Sequence, residues 1–291
     1  MKHKIANREL LNGFLLYLPA IVIVAFCKGY PIIQGFYLSL TRPETVFTNV
    51  FSGLDNYRRL FTDPIFYSSL LNVAKSVAVL PLYILVPLAI AFLLNQRIRG
   101  WKLFRATYLY SYLLAPVMVG YIFSFVLGIN GPLNTGLRFL GLPMLAIPWF
   151  GNSVSSMWMV LAVVLWSWFG LGTLVYLAGM ASVDEELYDS AKIDGARPSQ
   201  MLVFITLPHI IPTLSYWGVI CSAGLLIWLF PFLYALTGGG PGYASMMPEY
   251  YIYLTATKFI DPGYASALGF VLFVVIAILS SFQVRMMFRR S

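Results

Sequence analysis

Long uncharged stretches dominate this 291-residue sequence and restrict its fold more than any other feature. Residues 139–183 and residues 198–248 contain no Asp, Glu, Lys or Arg. A helix needs about 20 apolar residues to cross the hydrocarbon core of a membrane. Six stretches reach that length, at residues 10–38, 72–96, 106–128, 156–181, 209–236 and 264–286. None shows the alternation of apolar and polar residues that a strand of a membrane barrel requires.

The low charge content supports the same interpretation. Charged residues make up only 10% of the chain, whereas a soluble domain contains about 25%. The sequence therefore predicts an all-α polytopic membrane protein, a single domain over residues 1–291 with six transmembrane helices. Prolines interrupt the predicted spans at Pro81, Pro87, Pro116, Pro212 and Pro231. They indicate either ordinary kinks or a bundle that rearranges around a central cavity.

Lysine and arginine are unevenly distributed among the segments that connect these spans. The termini and the second and fourth connections hold twelve of them, and the other connections hold five. The positive-inside rule then places both termini and residues 182–208 in the cytoplasm. Topology thus explains the net charge of +8, and we predict membrane lipid and no nucleic acid as partners. Lys28 and Lys75 lie near external span ends, where they either snorkel or contact a polar or anionic substrate.

Several kinds of chemistry are missing from the sequence. The chain has no Gly-Lys dipeptide, which excludes a phosphate-binding loop of the GxxxxGK[ST] type. It has two histidines and no constellation of acid, metal ligand and nucleophile within the spans. We therefore predict a protein that is not an enzyme, with no catalytic residue, no metal and no cofactor of its own. No Asp or Glu lies within the six spans, which argues against a proton- or ion-coupled carrier.

Residues 182–208 form a polar segment between two of the uncharged stretches and hold five of the eleven acidic residues. Ser182 followed by Glu185 predicts a capping box and a helix over residues 183–193. Asp194 and Gly195 predict a turn, and Pro198 predicts the start of a second helix that leads into the fifth span. A charged helix between two spans is typical of a docking surface for a partner in water. The alternative is a solvated connector without a partner.

The spacing within this segment resembles a known motif. Asp189-Ser190-Ala191, then Gly195, then Ile205-x-Leu207-Pro208 resembles the EAA motif of permease subunits of bacterial ATP-binding-cassette (ABC) importers. Asp189 stands where the motif has Glu, and Ser190 stands where it has its first Ala. Residues 51–64 resemble the external segment of carbohydrate-importer permeases, and the TGGGP sequence at 237–241 is similar to that of the maltose, lactose and glycerol-3-phosphate permeases. The resemblance extends over essentially the whole chain.

This resemblance implies a type I ABC importer permease fold in the bacterial cell (inner) membrane. It implies a second permease subunit that forms a heterodimer, a dimer of ATPase subunits that use ATP and Mg, and an extracytoplasmic solute-binding protein. The transported solute would be a carbohydrate, either a mono- or oligosaccharide or a glycerol-phosphate-like solute. The alternative is a self-contained channel or secondary carrier for a small polar solute.

The resemblance also assigns residues to roles. Coupling to the ATPase would involve Glu186, Asp189, Ser190, Ala191, Asp194 and Gly195. The substrate pathway would involve aromatic side chains, for which membrane packing is the alternative: Trp166, Trp168, Trp228, Tyr234 and Tyr112. A loop facing the solute-binding protein would comprise Thr237, Gly238, Gly239, Gly240 and Pro241.

Overall fold

The structure is a computed structural model that describes residues 14, 16–45, 48–96 and 100–288. Seven basic residues that entered the charge count lie outside the described residues: Lys2, Lys4, Arg8, Arg97, Arg99, Arg289 and Arg290. Helices make up most of the described chain, which confirms the predicted all-α class. A small antiparallel hairpin of β1 (Thr41–Pro43) and β2 (Asn49–Phe51) adds to them, with Arg42 opposite Val50.

The helices follow the chain from the first span to the last. They are α1 (Leu16–Ser39), α2 (Asp55–Leu60), α3 (Pro64–Ala78), α4 (Leu80–Asn95), α5 (Trp101–Leu113), α6 (Pro116–Val126), α7 (Pro132–Phe139), α8 (Ser156–Met180), α9 (Glu185–Ile193), α10 (Pro198–His209), α11 (Ile211–Ile227), α12 (Phe230–Leu236), α13 (Pro248–Thr257) and α14 (Pro262–Phe288). Single π-helical turns occupy Ala25–Gly29 in α1 and Leu202–Thr206 in α10.

Three described helical segments are long and apolar enough to cross a membrane: α1, the α3–α4 pair and α8. The pair of α10 and α11, bent by 78°, would be a fourth if it forms one broken span. The predicted third span is divided between α5 and α6 by Leu114 and Ala115. The predicted fifth span is divided again where α11 ends and α12 begins. The number of six spans therefore stays a prediction, because several spans are assembled from shorter helices.

The prolines explain where these helices begin. Pro81, Pro116, Pro212 and Pro231 lie in the first turns of α4, α6, α11 and α12. A first-turn residue needs no N–H within the helix, so proline is compatible with that position. Pro87 alone among the five lies inside a helix, α4. Pro116, Pro212 and Pro231 thus mark interruptions between helices, whereas Pro81 and Pro87 lie within the α3–α4 segment, which is long enough to be one span.

The described residues form two compact units, and each unit includes only the described part of its ranges. The larger one comprises residues 64–251 and 275–291, and α4 and α5 pack against α8 at its centre. A Cβ atom at Gly170 of α8 would overlap the Tyr108 carbonyl group, so this glycine permits the close approach of α5. The Tyr83 hydroxyl donates a hydrogen bond to the Leu161 carbonyl at 2.6 Å, which links α4 to α8.

The smaller unit comprises residues 1–63 and 252–274. Asn56 of α2 is buried, and its amide donates hydrogen bonds to the Ser39 and Thr41 carbonyls at 2.8 and 2.7 Å. The Arg59 guanidinium lies 2.7 Å from the Asp261 carboxylate and 4.0 Å from the centre of the Tyr264 ring. The segment that begins at residue 51, predicted to be external, is therefore a folded connector held by specific polar contacts.

Candidate functional site

An aromatic cavity of about 460 Å³ lies in the larger unit, beside two interruptions in the helices. Tyr112 and Pro116 flank the break between α5 and α6, and Ile227 and Phe230 flank the break between α11 and α12. Its lining consists of Tyr112, Pro116, Trp168, Leu171, Trp217, Ile220, Ile227, Trp228, Phe230, Pro231 and Phe232. Non-helical backbone at membrane depth is tolerated where it is buried or lines a cavity, and transporters build solute sites at such breaks.

Two buried tryptophans form the inner wall of this cavity, Trp168 on α8 and Trp217 on α11. A Cβ atom at Gly224 would overlap the indole ring of Trp168, and one at Gly172 would lie 2.7 Å from the ring of Trp217. The two glycines therefore provide the space that the indoles occupy. The Trp217 indole N–H donates to the Tyr83 carbonyl at 2.9 Å, which fixes that ring in one orientation.

The structure separates the five predicted pathway aromatics into two groups. Tyr112, Trp168 and Trp228 line the cavity. Trp166 instead contacts Phe123, with 5.0 Å between ring centres, and Tyr234 stacks on Phe230 at 6.1 Å. Neither Trp166 nor Tyr234 belongs to the lining.

Trp217, Phe230 and Phe232 belong to the lining but were absent from the sequence prediction. The glycines opposite the tryptophans and the proline in the first turn of α12 are the signals that could have identified this region.

The helix predicted over residues 183–193 is present as α9, but its predicted capping box is wrong. The Ser182 hydroxyl donates to the Gly179 carbonyl at 2.7 Å, so it belongs to the end of α8. Asp184 takes the N-cap position without a side-chain cap bond, and α9 begins at Glu185. Glu185 and Glu186 still lie in the first turn, where negative charge complements the helix dipole.

The predicted turn after α9 is confirmed. Gly195 has φ +77°, a conformation that side chains disfavour, and open space surrounds the position of its absent Cβ. The Ala196 N–H donates to the Ala191 carbonyl at 2.9 Å, which closes the helix end. Pro198 then begins α10, as predicted, and the Arg197 N–H donates to the Gln200 side chain at 2.7 Å.

No residue of α9 is buried. Asp189 forms an exposed ion pair with Lys192 at 2.8 Å, and the side chain of Ile193 is 87% exposed. The residues predicted to couple to an ATPase therefore occupy a helix and turn that face solvent over most of their surface. Such a surface is available for docking.

The glycine-rich loop after α12 is a structured turn. Gly238 and Gly239 have φ +57° and +80°, and Gly239 donates its N–H to the Thr237 hydroxyl at 3.2 Å. The Asn72 amide of α3 donates to the Ala244 and Met246 carbonyls, each at 2.9 Å. These contacts hold the loop in one conformation.

Lys75 lies beside this anchor. Its ammonium group donates to the Asn72 side-chain oxygen at 2.9 Å. Asn72 directs its own amide group to the glycine-rich loop, so Lys75 orients the residue that holds the loop. Snorkelling and contact with a polar or anionic substrate stay predictions for this lysine.

Glu249 is a buried carboxyl group in the first turn of α13, in the connection between the predicted fifth and sixth spans. Among the described residues, none forms a hydrogen bond of good geometry with either carboxyl oxygen. Loss of water around the group raises the pKa of Glu249 to about 7, and the nearby N–H groups of Glu249 and Leu229 offset this only in part. Protonated and ionised forms therefore coexist near neutral pH.

Comparisons with known proteins give a consistent result. Residues 60–290 match the family described as the binding-protein-dependent transport system inner membrane component. The chain is 29% identical to the lactose transport system permease protein LacF of Rhizobium radiobacter, over 94% of this chain and 93% of LacF. It is 30% identical to the multiple sugar-binding transport system permease protein MsmF of Streptococcus mutans, over 96% of this chain and 97% of MsmF.

A solved structure shares the fold. It is a chain of a bacterial alginate ABC transporter in complex with an alginate pentasaccharide-bound periplasmic protein. The two chains superpose with a TM-score of 0.80 and 24% sequence identity, over 98% of this chain and 96% of the other.

Proposed function

The chain belongs to the family of inner membrane components of binding-protein-dependent transport systems, and we propose that it is one of two permease subunits of an ATP-driven importer for a carbohydrate. Members of this family form the membrane part of a transporter and are not enzymes. The observation that carries the proposal is the exposed helix α9, which ends in the left-handed turn at Gly195.

Helix α9 would couple this subunit to ATP hydrolysis. The chain has no phosphate-binding loop of the GxxxxGK[ST] type, so in an ATP-driven importer another subunit would bind the nucleotide. A helix with no buried residue, terminated by a sharp turn, can enter a cleft of an ATPase without disturbing the spans. Glu186, Asp189, Ser190 and Asp194 would contact the ATPase, and Gly195 would let the chain turn back to the membrane. In this arrangement α9 and both termini are cytoplasmic.

The aromatic cavity supports a sugar as the solute. Aromatic faces suit the apolar faces of sugar rings, and a site of about 300–1,000 Å³ is usual for a small ligand. The cavity volume of about 460 Å³ falls in that range. Its lining carries no charged side chain, which favours a neutral mono- or oligosaccharide over a glycerol-phosphate-like solute. LacF and MsmF, to which the chain is similar, are named as permeases of lactose and of multiple sugars, in agreement with this class.

The remaining partners follow from the same proposal. A second permease subunit would pair with this chain, and a dimer of ATPase subunits would bind ATP and Mg below them. An extracytoplasmic binding protein would deliver the sugar to the external side. The ordered loop over Thr237–Pro241 would face that protein or the mouth of the cavity, since it precedes the last external helix α13.

Uptake into proteoliposomes tests the proposal. The complete complex, with its second permease, ATPase and binding protein, should import radiolabelled sugar only when ATP is inside with the ATPase. The two permease subunits reconstituted without the ATPase should import none. Uptake by the permeases alone, driven by a solute or ion gradient, would favour the channel or secondary carrier instead.

A further inference from the structure

Helix α9 has little support from the spans above it. A cavity of about 650 Å³ adjoins it, and the walls of this cavity include Phe92 and Asn95 of α4, Met180 of α8 and Met201 of α10. Since no residue of α9 is buried and only Tyr188 and Ala191 are half-buried, packing of this helix provides only a limited contact through which a movement could reach the membrane. The covalent link through Gly195 also transmits movement poorly, because the backbone of a glycine rotates easily.

The side chain of Tyr188 connects α9 to α10 across this turn. The Tyr188 hydroxyl lies 2.9 Å from the Thr206 hydroxyl, across 18 residues of sequence. Thr206 is fully buried, and its hydroxyl donates to the Met201 carbonyl at 3.3 Å. The single proton of Thr206 is thereby used, so Tyr188 is the donor in the bond between the two residues. The bond joins the second turn of α9 to the π-helical turn of α10.

Thr206 is well placed to pass a movement on. It is the last residue of the π-helical turn Leu202–Thr206, and the chain bends by 78° between α10 and α11 shortly after it. Helix α11 then carries Trp217, Ile220 and Ile227 to the wall of the aromatic cavity. A continuous series of contacts therefore runs from α9 through one hydroxyl pair to the cavity wall.

We infer that Tyr188 is a positioning residue that transmits the movement of α9 to α11 through its hydrogen bond to Thr206. The inference rests on the proposed function of α9 as the element that docks to the ATPase. Without the bond, α9 can still bind the ATPase, but it pivots about Gly195 when the ATPase closes. Hydrolysis then continues while less of the movement reaches the cavity.

The test uses the complete complex in proteoliposomes and measures sugar imported per ATP hydrolysed. A net hydrogen bond contributes about 1 kcal/mol, which corresponds to about a fivefold change. Tyr188→Phe should lower the ratio about fivefold while the ATPase copurifies normally. Thr206→Val should give the same loss, Thr206→Ser should retain the wild-type ratio, and the double variant Tyr188→Phe/Thr206→Val should fall no further than either single variant.

A matched control separates this role from general stability. Tyr57 forms a similar bond between hydroxyl groups, 2.7 Å from Ser39 in the smaller unit, and Tyr57→Phe should leave the ratio unchanged. An unchanged ratio in Tyr188→Phe, or multiplied losses in the double variant, would overturn the inference. Failure of the ATPase to copurify with the wild-type chain would instead overturn the proposed function of α9.

Discussion

Replacing Glu249 by glutamine should stabilise the protein at alkaline pH and not at acidic pH. Burial raises the pKa of Glu249 from 4.5 to about 7, so the folded state binds the proton more tightly than the unfolded state. Stability from this group is therefore fully present below about pH 4.5 and is lost as pH rises through 7. A pKa shift of this size changes the free energy of unfolding by about 3 kcal/mol, because one pKa unit equals about 1.4 kcal/mol. Glutamine has nearly the same shape and stays neutral.

The assay is the free energy of unfolding in mixed detergent micelles, measured at pH 5 and pH 8 for wild type and variant. Glu249→Gln should gain less than about 1 kcal/mol in the free energy of unfolding at pH 5 and up to about 3 kcal/mol at pH 8. The exposed Glu44 provides the matched control, and Glu44→Gln should show no such pH-dependent gain. A Glu249→Gln variant that is no more stable at pH 8 than at pH 5, each relative to wild type, would refute the reasoning.

Further predictions concern the turn at Gly195 and the aromatic cavity. Gly195→Val and Gly141→Val introduce side chains at φ +77° and +74°, with open space around both positions. Each substitution should lower the free energy of unfolding by about 1–2 kcal/mol. Only Gly195→Val should abolish uptake by the complex. Trp228→Ala should raise the KM for uptake about fivefold, whereas Trp166→Ala, outside the lining, should leave it unchanged. Gly224→Ala should lower the free energy of unfolding by about 1–3 kcal/mol, because its Cβ overlaps a buried indole of the cavity. Equal uptake by the two valine variants, equal KM values for the two tryptophan variants, or an unchanged unfolding free energy would contradict these expectations.

The sequence predicted the elements whose signals are local. The helix before Gly195, the turn at that glycine and the helix start at Pro198 follow from residue types with strong backbone preferences. The all-α class follows from apolar runs longer than a globular core requires. The capping box failed because Ser182 belongs to the end of α8, and α9 begins only at Glu185 with Asp184 at its N-cap.

The cavity was less predictable, because its walls come from helices that are distant in sequence. Trp217 and Trp166 look alike in an apolar helix, and only the packing of Gly172 against the Trp217 ring distinguishes the two. The helix breaks beside the cavity were visible as prolines but could equally have been kinks. Glu249 illustrates the same limit, since the burial of its carboxyl group comes from the tertiary fold and has no signal in the local sequence.

A crosslinking measurement tests the central claim, that α9 docks to an ATPase, most directly. Ile193 of α9 is 87% exposed, and Phe139 at the end of the predicted external helix α7 is 90% exposed. A cysteine at either position, in a chain whose native Cys27 and Cys221 are replaced by serine, can carry a photoreactive label. Illumination of the complete complex should crosslink Ile193→Cys to the ATPase subunit and leave Phe139→Cys without that product. Absence of the product from Ile193→Cys, or equal yields from the two positions, would contradict the assignment.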